Sequence, residues 1–487
     1  MGGAASVSSA PGSDAAWRDD PELLDARHRK SAAVLVALAR VLAARRPLGG
    51  GEDEFLDLYR QVAAADPAVF TRVWTEPRAY LWLRVAHQLL GACLGGAPPS
   101  ALAARAAAEC GAADAREALA AHLEDFKELA LAVALAGGGR LRLATPLAAR
   151  LPFTLTGARW TLEGAGAVTV VGTGAGRVDV VLEGGERALP LDDLAAAPRA
   201  VGAATLFPAP IARHGGAELV MAPAAFNVPG LDIRDAALAA GREFQAARRG
   251  LVEAALAAME RYAPAGFALF RTDMRHLVLK RREEGPFTNV SYTELPGACF
   301  VAAVARPLVL ADRLLHEHTH NRLFALEEGG ALFEPGSGAA TDARHYSPWR
   351  DDPRPLQGLL HAVAVYLAVA RFWLAVHRAG AAVLEERRYA IERLVRVPRQ
   401  LALATATLER HARFTARGRG LFRALGAELR ALDDAIAAAD VPPDVAGLMP
   451  RDDGTFGPYA SAEGGRPLSA RAAVAEHLRL CGWDAGA

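Results

Sequence analysis

The stretch Leu314-Leu315-His316-Glu317-His318-Thr319-His320-Asn321-Arg322-Leu323 carries the pattern H-E-x-x-H within an apolar, helix-periodic run. Residues four apart lie on one face of a helix, with Cβ atoms about 5–6 Å apart. His316 and His320 can therefore bind one metal ion from a single helix. Glu317 lies beside them as a candidate general base or as a partner that orients a ligand. His318 lies on a different face, and we expect it to be structural or solvent-facing.

The composition of the chain limits its class and its partners. A chain of 487 residues is too long for one core, so roughly two to four domains or subdomains are expected. Lys+Arg and Asp+Glu both total 55, so no net charge attracts nucleic acid or an anionic membrane. Every apolar run of about 18 residues contains charges or breakers, which argues against a transmembrane helix. We therefore expect neither a nucleic-acid nor a membrane partner.

The cysteines indicate a reducing compartment. They are scattered, without C-x-x-C pairing, at positions Cys93, Cys110, Cys299 and Cys481. This spacing is typical of small buried hydrophobes and not of a disulfide framework. The first residues lack the pattern of a secretory signal. We expect a cytoplasmic protein, and no pattern indicates its oligomeric state.

The order of patterns predicts an α+β fold that is predominantly helical, with a β-rich insert and a zincin-like core around the metal helix. We predict a disordered lead-in (1–20), a helical N-terminal domain (21–136) and a β-rich insert (137–230). A zincin-like catalytic domain with the H-E-x-x-H helix and the helices after it (231–440) and a C-terminal tail (441–487) follow.

Shorter patterns predict individual elements. Alternating or apolar runs predict strands at 153–156, 160–162, 168–171, 178–182, 188–191, 267–271 and 276–280. Helical periodicity predicts helices at 235–262, 356–377, 382–397 and 399–439. An edge strand beside the metal would pair with an extended peptide, and 288–291 is the candidate segment.

His361 is the first choice for a third metal ligand. It follows an irregular segment rich in Gly, Pro and Asp and stands among Leu359 and Leu360, where a polar ring is otherwise costly. A core histidine satisfied by a protein partner is an equally weighted interpretation. The alternative ligands are Glu327, Glu328, Asp342 and His345. Two histidines with a glutamate favour zinc hydrolysis, whereas a facial set with open positions favours non-haem Fe(II).

A second unusual stretch precedes His361. It reads Tyr346-Ser347-Pro348-Trp349-Arg350-Asp351-Asp352-Pro353-Arg354-Pro355. Arg350 and Arg354, held by prolines, could clamp a carboxylate through paired hydrogen bonds. The alternative, of nearly equal weight, is an Arg–Asp salt-bridge loop that stabilises the connection.

Three stretches together resemble a known family. They are Thr288-Asn289 with Pro296-Gly297, the metal motif itself, and Ser347-Pro348-Trp349-Arg350-Asp351-Asp352-Pro353-Arg354-Pro355-Leu356-x-Gly358-Leu359-Leu360. They resemble the actinobacterial H-E-x-x-H proteins found beside ribosomal peptide gene clusters, which are α-ketoglutarate-dependent peptide β-hydroxylases. The resemblance runs from about residue 20 to 415. Its arginine loop is far more specific than the metal motif.

The resemblance implies a function and a set of site residues. His316 and His320, with His361 as the third candidate, would bind Fe(II), and α-ketoglutarate and O₂ would be co-substrates. Arg354 or Arg350 would hold the distal carboxylate of α-ketoglutarate. Glu317 would orient the site and would not act as a hydrolytic base. We assign substrate binding to Thr288, Asn289 and Trp349, and the substrate is a precursor peptide.

Two other functions are consistent with the same residues. In a zinc metallopeptidase, Glu317 would act as general base on a metal-bound water. In an inactive scaffold, the β-rich insert or the helical N-terminus would bind a leader peptide. The sequence does not identify the peptide or the modified residue.

Overall fold

A computed structural model describes the chain at residues 20, 22–96, 98–141, 143–164, 166–174, 177–182, 188–192, 197–201, 204–227, 231, 240–281, 289–338, 343–350, 352–380, 383–441, 449–450, 456–457 and 470–480. The predicted lead-in before Asp20, most of the predicted tail, Thr288, Asp342 and Cys481 lie outside these residues. Within them the protein is mostly helical with several small sheets, which confirms the α+β prediction.

The chain divides into two compact units. One, here called the helix–sheet unit, comprises Asp25–Ala254 and Arg271–Ala303. The other comprises Met1–Leu24, Ala255–Phe270 and Val304–Ala487 and is here called the histidine unit because it carries the H-E-x-x-H motif.

The first part of the helix–sheet unit is helical. Its helices are α1 (Leu23–Arg45), α2 (Asp53–Ala63), α3 (Pro67–Trp74), α4 (Pro77–Cys93), α5 (Ala101–Glu109), α6 (Ala115–Glu124) and α7 (Phe126–Ala136). Local sequence explains several helix starts: Asp66, Ser100 and Asp114 each accept a hydrogen bond from a backbone N–H of the first turn. Pro77 begins α4, where its missing N–H is not needed.

Nine strands follow among the described residues. They are β1 (Leu147–Arg150), β2 (Trp160–Glu163), β3 (Ala167–Gly174), β4 (Arg177–Leu182), β5 (Ala188–Asp192), β6 (Arg199–Val201), β7 (Ala204–Pro208), β8 (Ile211–His214) and β9 (Ala217–Val220). A four-stranded sheet has the order β1-β3-β4-β5, and a three-stranded sheet has the order β2-β7-β6. The predicted strands at 160–162, 168–171, 178–182 and 188–191 are confirmed, and 153–156 contributes a single bridge from Phe153 to Leu162.

A five-stranded sheet completes this unit, with the order β11-β12-β10-β9-β8. Its later strands are β10 (His276–Lys280), β11 (Asn289–Val290) and β12 (Ala298–Ala302), and β10 pairs in parallel with β12. Gly297 precedes β12 at φ +81°, and a Cβ there would lie 2.8 Å from the Asp273 carbonyl oxygen, so only glycine fits without a shift. The strand prediction at 276–280 is confirmed, and β11 is an edge strand as expected of 288–291.

Between β9 and β10 the described residues form a 3-10 turn at Pro223–Phe226 and three α-helices, α8 (Arg242–Ala246), α9 (Arg249–Tyr262) and α10 (Pro264–Asp273). The predicted strand at 267–271 is wrong, because these residues belong to α10. The apolar spacing of Phe267 and Phe270, both buried, is that of one helical face. A short apolar run cannot distinguish a strand from a buried helix segment, which explains the error.

The histidine unit is built mainly from long helices. They are α11 (Pro307–Glu328), α12 (Leu356–Arg378), α13 (Leu384–His411), α14 (Ala416–Ala437) and α15 (Ala470–Leu480), with the short strands β13 (Met449–Pro450) and β14 (Phe456–Gly457). The predicted break between 397 and 399 is wrong, because α13 continues through Pro398. Packing against α12, α14 and α15 outweighs the hydrogen bond that Pro398 removes.

The apolar helix α12 occupies the core of the histidine unit. It packs against α11, α13 and α14, and Leu359, Val363 and Trp373 are fully or almost fully buried. Among the described helices, α12 is the one long and apolar enough to cross a membrane, with a mean hydropathy of 1.9 over its most apolar window. Because 78% of that window is buried inside the protein, as in any core helix, this is weak evidence for a span.

The described cysteines form no disulfide. Cys299 is fully buried, as predicted, and Cys93 is half-buried. Cys110 is exposed, so the expectation that every cysteine is a buried hydrophobe is wrong there. Cys110 is the C-cap of the Ala-rich helix α5, whose end is solvent-facing.

Candidate metal centre

The metal motif lies in the middle of α11. Pro307 occupies the first turn of this helix, and the segment from Leu308 to Leu315 is almost wholly buried. Apolar residues anchor the helix on both sides of the motif, so the histidines have a fixed backbone. The side chain of His316 is 21% exposed, which leaves this part of the helix accessible to small solutes.

Helices α11 and α12 bring three imidazoles together. The ring centroids of His316 and His320 are 5.0 Å apart, and those of His320 and His361 are 5.4 Å apart. Nδ1 of His320 lies 3.2 Å from Nδ1 of His361. The predicted residues of the metal set are therefore neighbours, although they are up to 45 positions apart in sequence.

Glu327 orients His361. Its Oε1 lies 3.1 Å from Nε2 of His361 and 2.7 Å from Nε2 of Gln357, which donates to it. A carboxylate at Nε2 favours the tautomer in which that nitrogen carries the proton. The Nδ1 lone pair of His361 is then directed at His320. Glu327, an alternative ligand from the sequence, is thus a partner of His361.

His316 and His320 are neutral at physiological pH. Burial lowers the pKa of His316 to about 4, and Arg393 and Arg313 act in the same direction against Asp312. Burial, followed by the neighbouring His316 and His361, holds the pKa of His320 well below its usual range. Neutral imidazoles retain a nitrogen lone pair, which is the state a metal ligand requires.

The separation of one nitrogen pair suits a shared ion. Two nitrogen ligands at about 2.1 Å from one ion lie roughly 3.0–3.4 Å apart at angles of about 90–110°. The Nδ1 atoms of His320 and His361, at 3.2 Å, meet this condition. The described residues nevertheless contain no group of three or more His, Cys, Asp or Glu side chains arranged to hold an ion. The pair fits a metal, and His316 would have to reorient to join it.

Glu317 and His318 lie on other faces of α11. Glu317 is 2% exposed, and its Oε1 is 3.9 Å from Nε2 of His316. His318 is also 2% exposed and meets the Phe270 ring edge-on, with centroids 5.5 Å apart. His318 is therefore structural, as one of our two expectations had it, and not solvent-facing. The role of Glu317 remains a prediction.

In the arginine loop, Arg350 and Arg354 form salt bridges with an aspartate, which was the alternative to a clamp for an external carboxylate. Nε of Arg350 lies 2.6 Å from Asp352 Oδ1, and Nε of Arg354 lies 3.2 Å from Asp352 Oδ2. His345 and Arg354 exchange backbone hydrogen bonds of 2.8 Å, which close the loop between them. Both arginines predicted to hold a carboxylate thus already share one from the protein.

Trp349 connects this loop to the imidazoles through a ring of α12. It stacks on Tyr366 with centroids 4.7 Å apart and planes 3° from parallel, and its Nε1 is buried without a hydrogen-bond partner among the described residues. Tyr366 meets the His316 ring at 88° and 5.4 Å. Trp349 therefore lies within two ring contacts of the metal motif, where a substrate-binding residue is expected.

Sequence reasoning missed a buried ion pair beside the motif. Asp312, one helical turn before His316, accepts from Arg393 Nη2 at 2.8 Å and from Trp373 Nε1 at 2.7 Å. The Arg393 guanidinium also lies 5.9 Å from the centre of Tyr366. Burial opposes its charge, yet Asp312 and the neighbouring tyrosines raise the pKa of Arg393 well above its usual range. An Asp within an apolar helical run, four residues before His316, was the available signal, since a buried carboxylate requires a cation.

The remaining predicted residues are not part of this cluster in the described contacts. His345 lies against His411, with ring centroids 4.7 Å apart. Asn289 belongs to the helix–sheet unit, where its Oδ1 accepts from the Ala302 N–H at 3.2 Å. Its predicted role in substrate binding stays a prediction.

No protein-family model matches the chain, and no curated protein matches it.

Proposed function

We propose that this chain is an Fe(II)- and α-ketoglutarate-dependent oxygenase that hydroxylates the β-carbon of a side chain in a ribosomally made peptide. The metal part of the proposal rests on the Nδ1 pair of His320 and His361, which has the separation of two ligands on one ion. The reaction and the peptide substrate rest on the resemblance of the loop that contains Trp349 and Arg354. We further propose that α11 is the metal helix of a zincin-like core.

In this proposal, each residue of the cluster has a separate task. His320 and His361 hold the ion, and His316 completes the set after a ring rotation. Glu327 keeps Nδ1 of His361 free of a proton. Fe(II) with α-ketoglutarate and O₂, when bound, supplies the oxidising power for cleavage of a C–H bond. The described site contributes the orientation of these groups and a partly dry environment.

The co-substrate carboxylate has to compete with Asp352 in this proposal. Arg350 and Arg354 each lie within ion-pair distance of Asp352, so binding of a dicarboxylate would replace one carboxylate with another. The surface position of Asp352, whose side chain is 54% exposed, makes such an exchange inexpensive. Arg354 is the better anchor of the two, because its side chain is 33% exposed and that of Arg350 is 43% exposed.

The zinc peptidase is the competing enzyme. Its Glu317 would have to contact a metal-bound water, and a side chain that is 2% exposed is poorly placed to do so. This observation favours the oxygenase, in which Glu317 has a structural task.

Anaerobic reconstitution with Fe(II), followed by α-ketoglutarate, tests the proposal. We expect a visible charge-transfer band from the chelated complex in the native protein and in the His87→Ala control, whose imidazole is on the surface. We expect His320→Ala and His361→Ala to lose the band and to bind Fe(II) at least about a hundredfold more weakly, since each removes a ligand.

Other outcomes identify the alternatives. Absence of the band, together with tight zinc binding and peptide cleavage that is lost in Glu317→Gln, identifies a peptidase. Activity that survives His316→Ala unchanged overturns both enzymes. The absence of both hydroxylation and peptide cleavage, together with binding of a leader peptide, identifies the scaffold.

A further inference from the structure

We infer that the outer edge of strand β1 and the cavity beside it form a docking site for an extended peptide that alternates apolar and basic side chains. The site lies wholly within the helix–sheet unit. This inference rests on the proposed function and extends it, because an enzyme that modifies a peptide needs a surface that binds the peptide. The binding itself requires no metal and can be tested without one.

Among the described residues, strand β1 pairs on one side only and offers the backbone groups of its other edge. It is the end strand of the sheet β1-β3-β4-β5 and pairs on one side with β3. Leu151 N–H donates to the Gly166 carbonyl at 3.1 Å, and hydrogen bonding alternates along an antiparallel pair. The N–H and C=O groups of Leu147 and Ala149 therefore face β3. Those of Ala148 and Arg150 face away from it, which is the template that a further strand uses.

A large cavity lies along this edge. Its volume is about 700 Å³, and residues 147–154 form one wall of it. Leu81, Val85 and Leu129 contribute apolar surface to the cavity. A volume of this size accommodates several side chains of a bound strand, and such pockets supply specificity in strand addition.

An acidic group at the cavity explains the choice of basic residues. Asp125 lines the cavity, and its side chain is 51% exposed, so an incoming cation can reach the carboxylate. Nδ1 of His122 lies 3.8 Å from Oδ2 of Asp125. Burial lowers the pKa of His122 to about 4, so this imidazole is neutral and does not balance the carboxylate.

Arg78 and Arg150 also line the cavity, and the charge of Arg78 acts on Asp125. Arg78 is already committed to Glu128 and donates to the Thr154 carbonyl at 2.9 Å. Glu128 also accepts from the N–H and hydroxyl of Thr156. Arg150 lies on β1 with its side chain exposed, so it can turn towards solvent when a basic peptide binds.

The test uses a fluorescein-labelled decapeptide of alternating valine and lysine, the full-length metal-free protein and fluorescence anisotropy. We expect saturable binding. Affinity should fall about tenfold when alternate peptide amides are N-methylated, because one edge of the peptide loses its donors. A peptide of alternating valine and glutamate should bind more weakly than the lysine peptide.

Protein variants locate the contact. Ala148→Pro removes the outward N–H and should weaken binding about tenfold, whereas Ala148→Val retains it and serves as the matched control. Asp125→Asn should weaken only the lysine peptide. Hydrogen exchange in the native protein gives a measurement that does not depend on variants folding: the peptide should slow exchange at Ala148 and Arg150 but not at Leu147 and Ala149.

Three results overturn the inference. One is equal affinity for the methylated and unmethylated peptides, and another is the absence of binding with unchanged exchange at Ala148. The third is a concentration-dependent dimer that Ala148→Pro abolishes, since the edge would then pair with a second copy of the chain. Because metal binding plays no part in these measurements, they fail or succeed independently of the oxygenase proposal.

Discussion

Two groups of buried histidines in this chain use their imidazoles differently. In the helix–sheet unit, Nε2 of His276 lies 2.6 Å from Oε2 of Glu76, and the side chains are 6% and 14% exposed. Burial raises the pKa of Glu76, but the His276 and Arg275 cations outweigh it and hold that pKa below its usual range. In the histidine unit, the ring of His320 is bounded by the rings of His316 and His361.

The difference indicates which imidazoles serve the fold. The His276 imidazole contacts a carboxylate directly through Nε2, whereas its Nδ1 is buried without a hydrogen-bond partner among the described residues. His316 and His320, packed against other imidazoles, stay neutral and retain lone pairs that an external cation can use. Glu327 touches only the far nitrogen of His361, so it supports this second arrangement.

The largest expected effect comes from breaking the ion pair. Glu76→Ala leaves the His276 ring buried without its carboxylate, and we expect the free energy of unfolding to fall by about 4 kcal/mol. Urea denaturation followed by circular dichroism measures this. Glu409→Ala, at an exposed position, should change it by less than about 0.5 kcal/mol. If both variants are equally stable, the His276 pair is not a structural ion pair.

Acid should destabilise the same region through His28. Burial, then Arg27 and Arg275, lower the pKa of His28 to about 4, below the usual value of 6.5. The unfolded chain therefore takes up a proton first as pH falls, and stability drops by up to about 3 kcal/mol between pH 6.5 and 4. His28→Gln should flatten part of this slope in urea titrations at several pH values. His87→Gln, an exposed control, should leave the slope unchanged, and an equal effect of the two would contradict the assignment.

In the histidine unit, Glu327→Gln should weaken metal binding without unfolding the protein. The amide can still contact Nε2 of His361 but no longer fixes its tautomer, and we expect a 10- to 100-fold loss of Fe(II) affinity. Anaerobic competition with a chelating dye measures it. Glu328→Gln, one position along α11, is the matched control. Unaltered affinity in Glu327→Gln would show that His361 needs no orienting carboxylate.

The smallest effect is expected at the arginine loop. Asp352→Asn removes the carboxylate that Arg350 and Arg354 share, so the two cations become more available to an added dicarboxylate. We expect the dissociation constant of α-ketoglutarate for the Fe(II)-loaded protein to fall several-fold, as exposed pairs contribute about 0–1 kcal/mol. Arg354→Ala should raise it. A fall in both variants would place the co-substrate elsewhere.

The elements that could be predicted are those encoded locally. The spacing of His316 and His320 indicated one helix, and alternating apolar residues indicated β3, β4 and β5. The strand predicted at 267–271 is wrong because a run of four or five apolar residues fits both the two-residue period of a strand and the 3.6-residue period of a helix. Pro398 does not end α13, because packing stabilises this helix by more than the loss of one backbone hydrogen bond costs.

The contacts of the site depend on distant residues and were harder to predict. His361 could be selected because it is a polar ring in an apolar run, but its partner Glu327 was considered only as an alternative ligand. Arg393 lies 81 positions from Asp312, and no local pattern relates them. The sharing of Asp352 by both arginines was one of two interpretations that their spacing allowed.

The loop between His345 and Arg354 is fastened at its base by two backbone hydrogen bonds. Backbone contacts of this kind do not depend on which side chains the loop carries. Residues 346–353 can therefore be replaced together by another sequence without moving the start of α12. Related chains can then differ at Trp349 and its neighbours while the imidazoles of α11 and α12 stay in place.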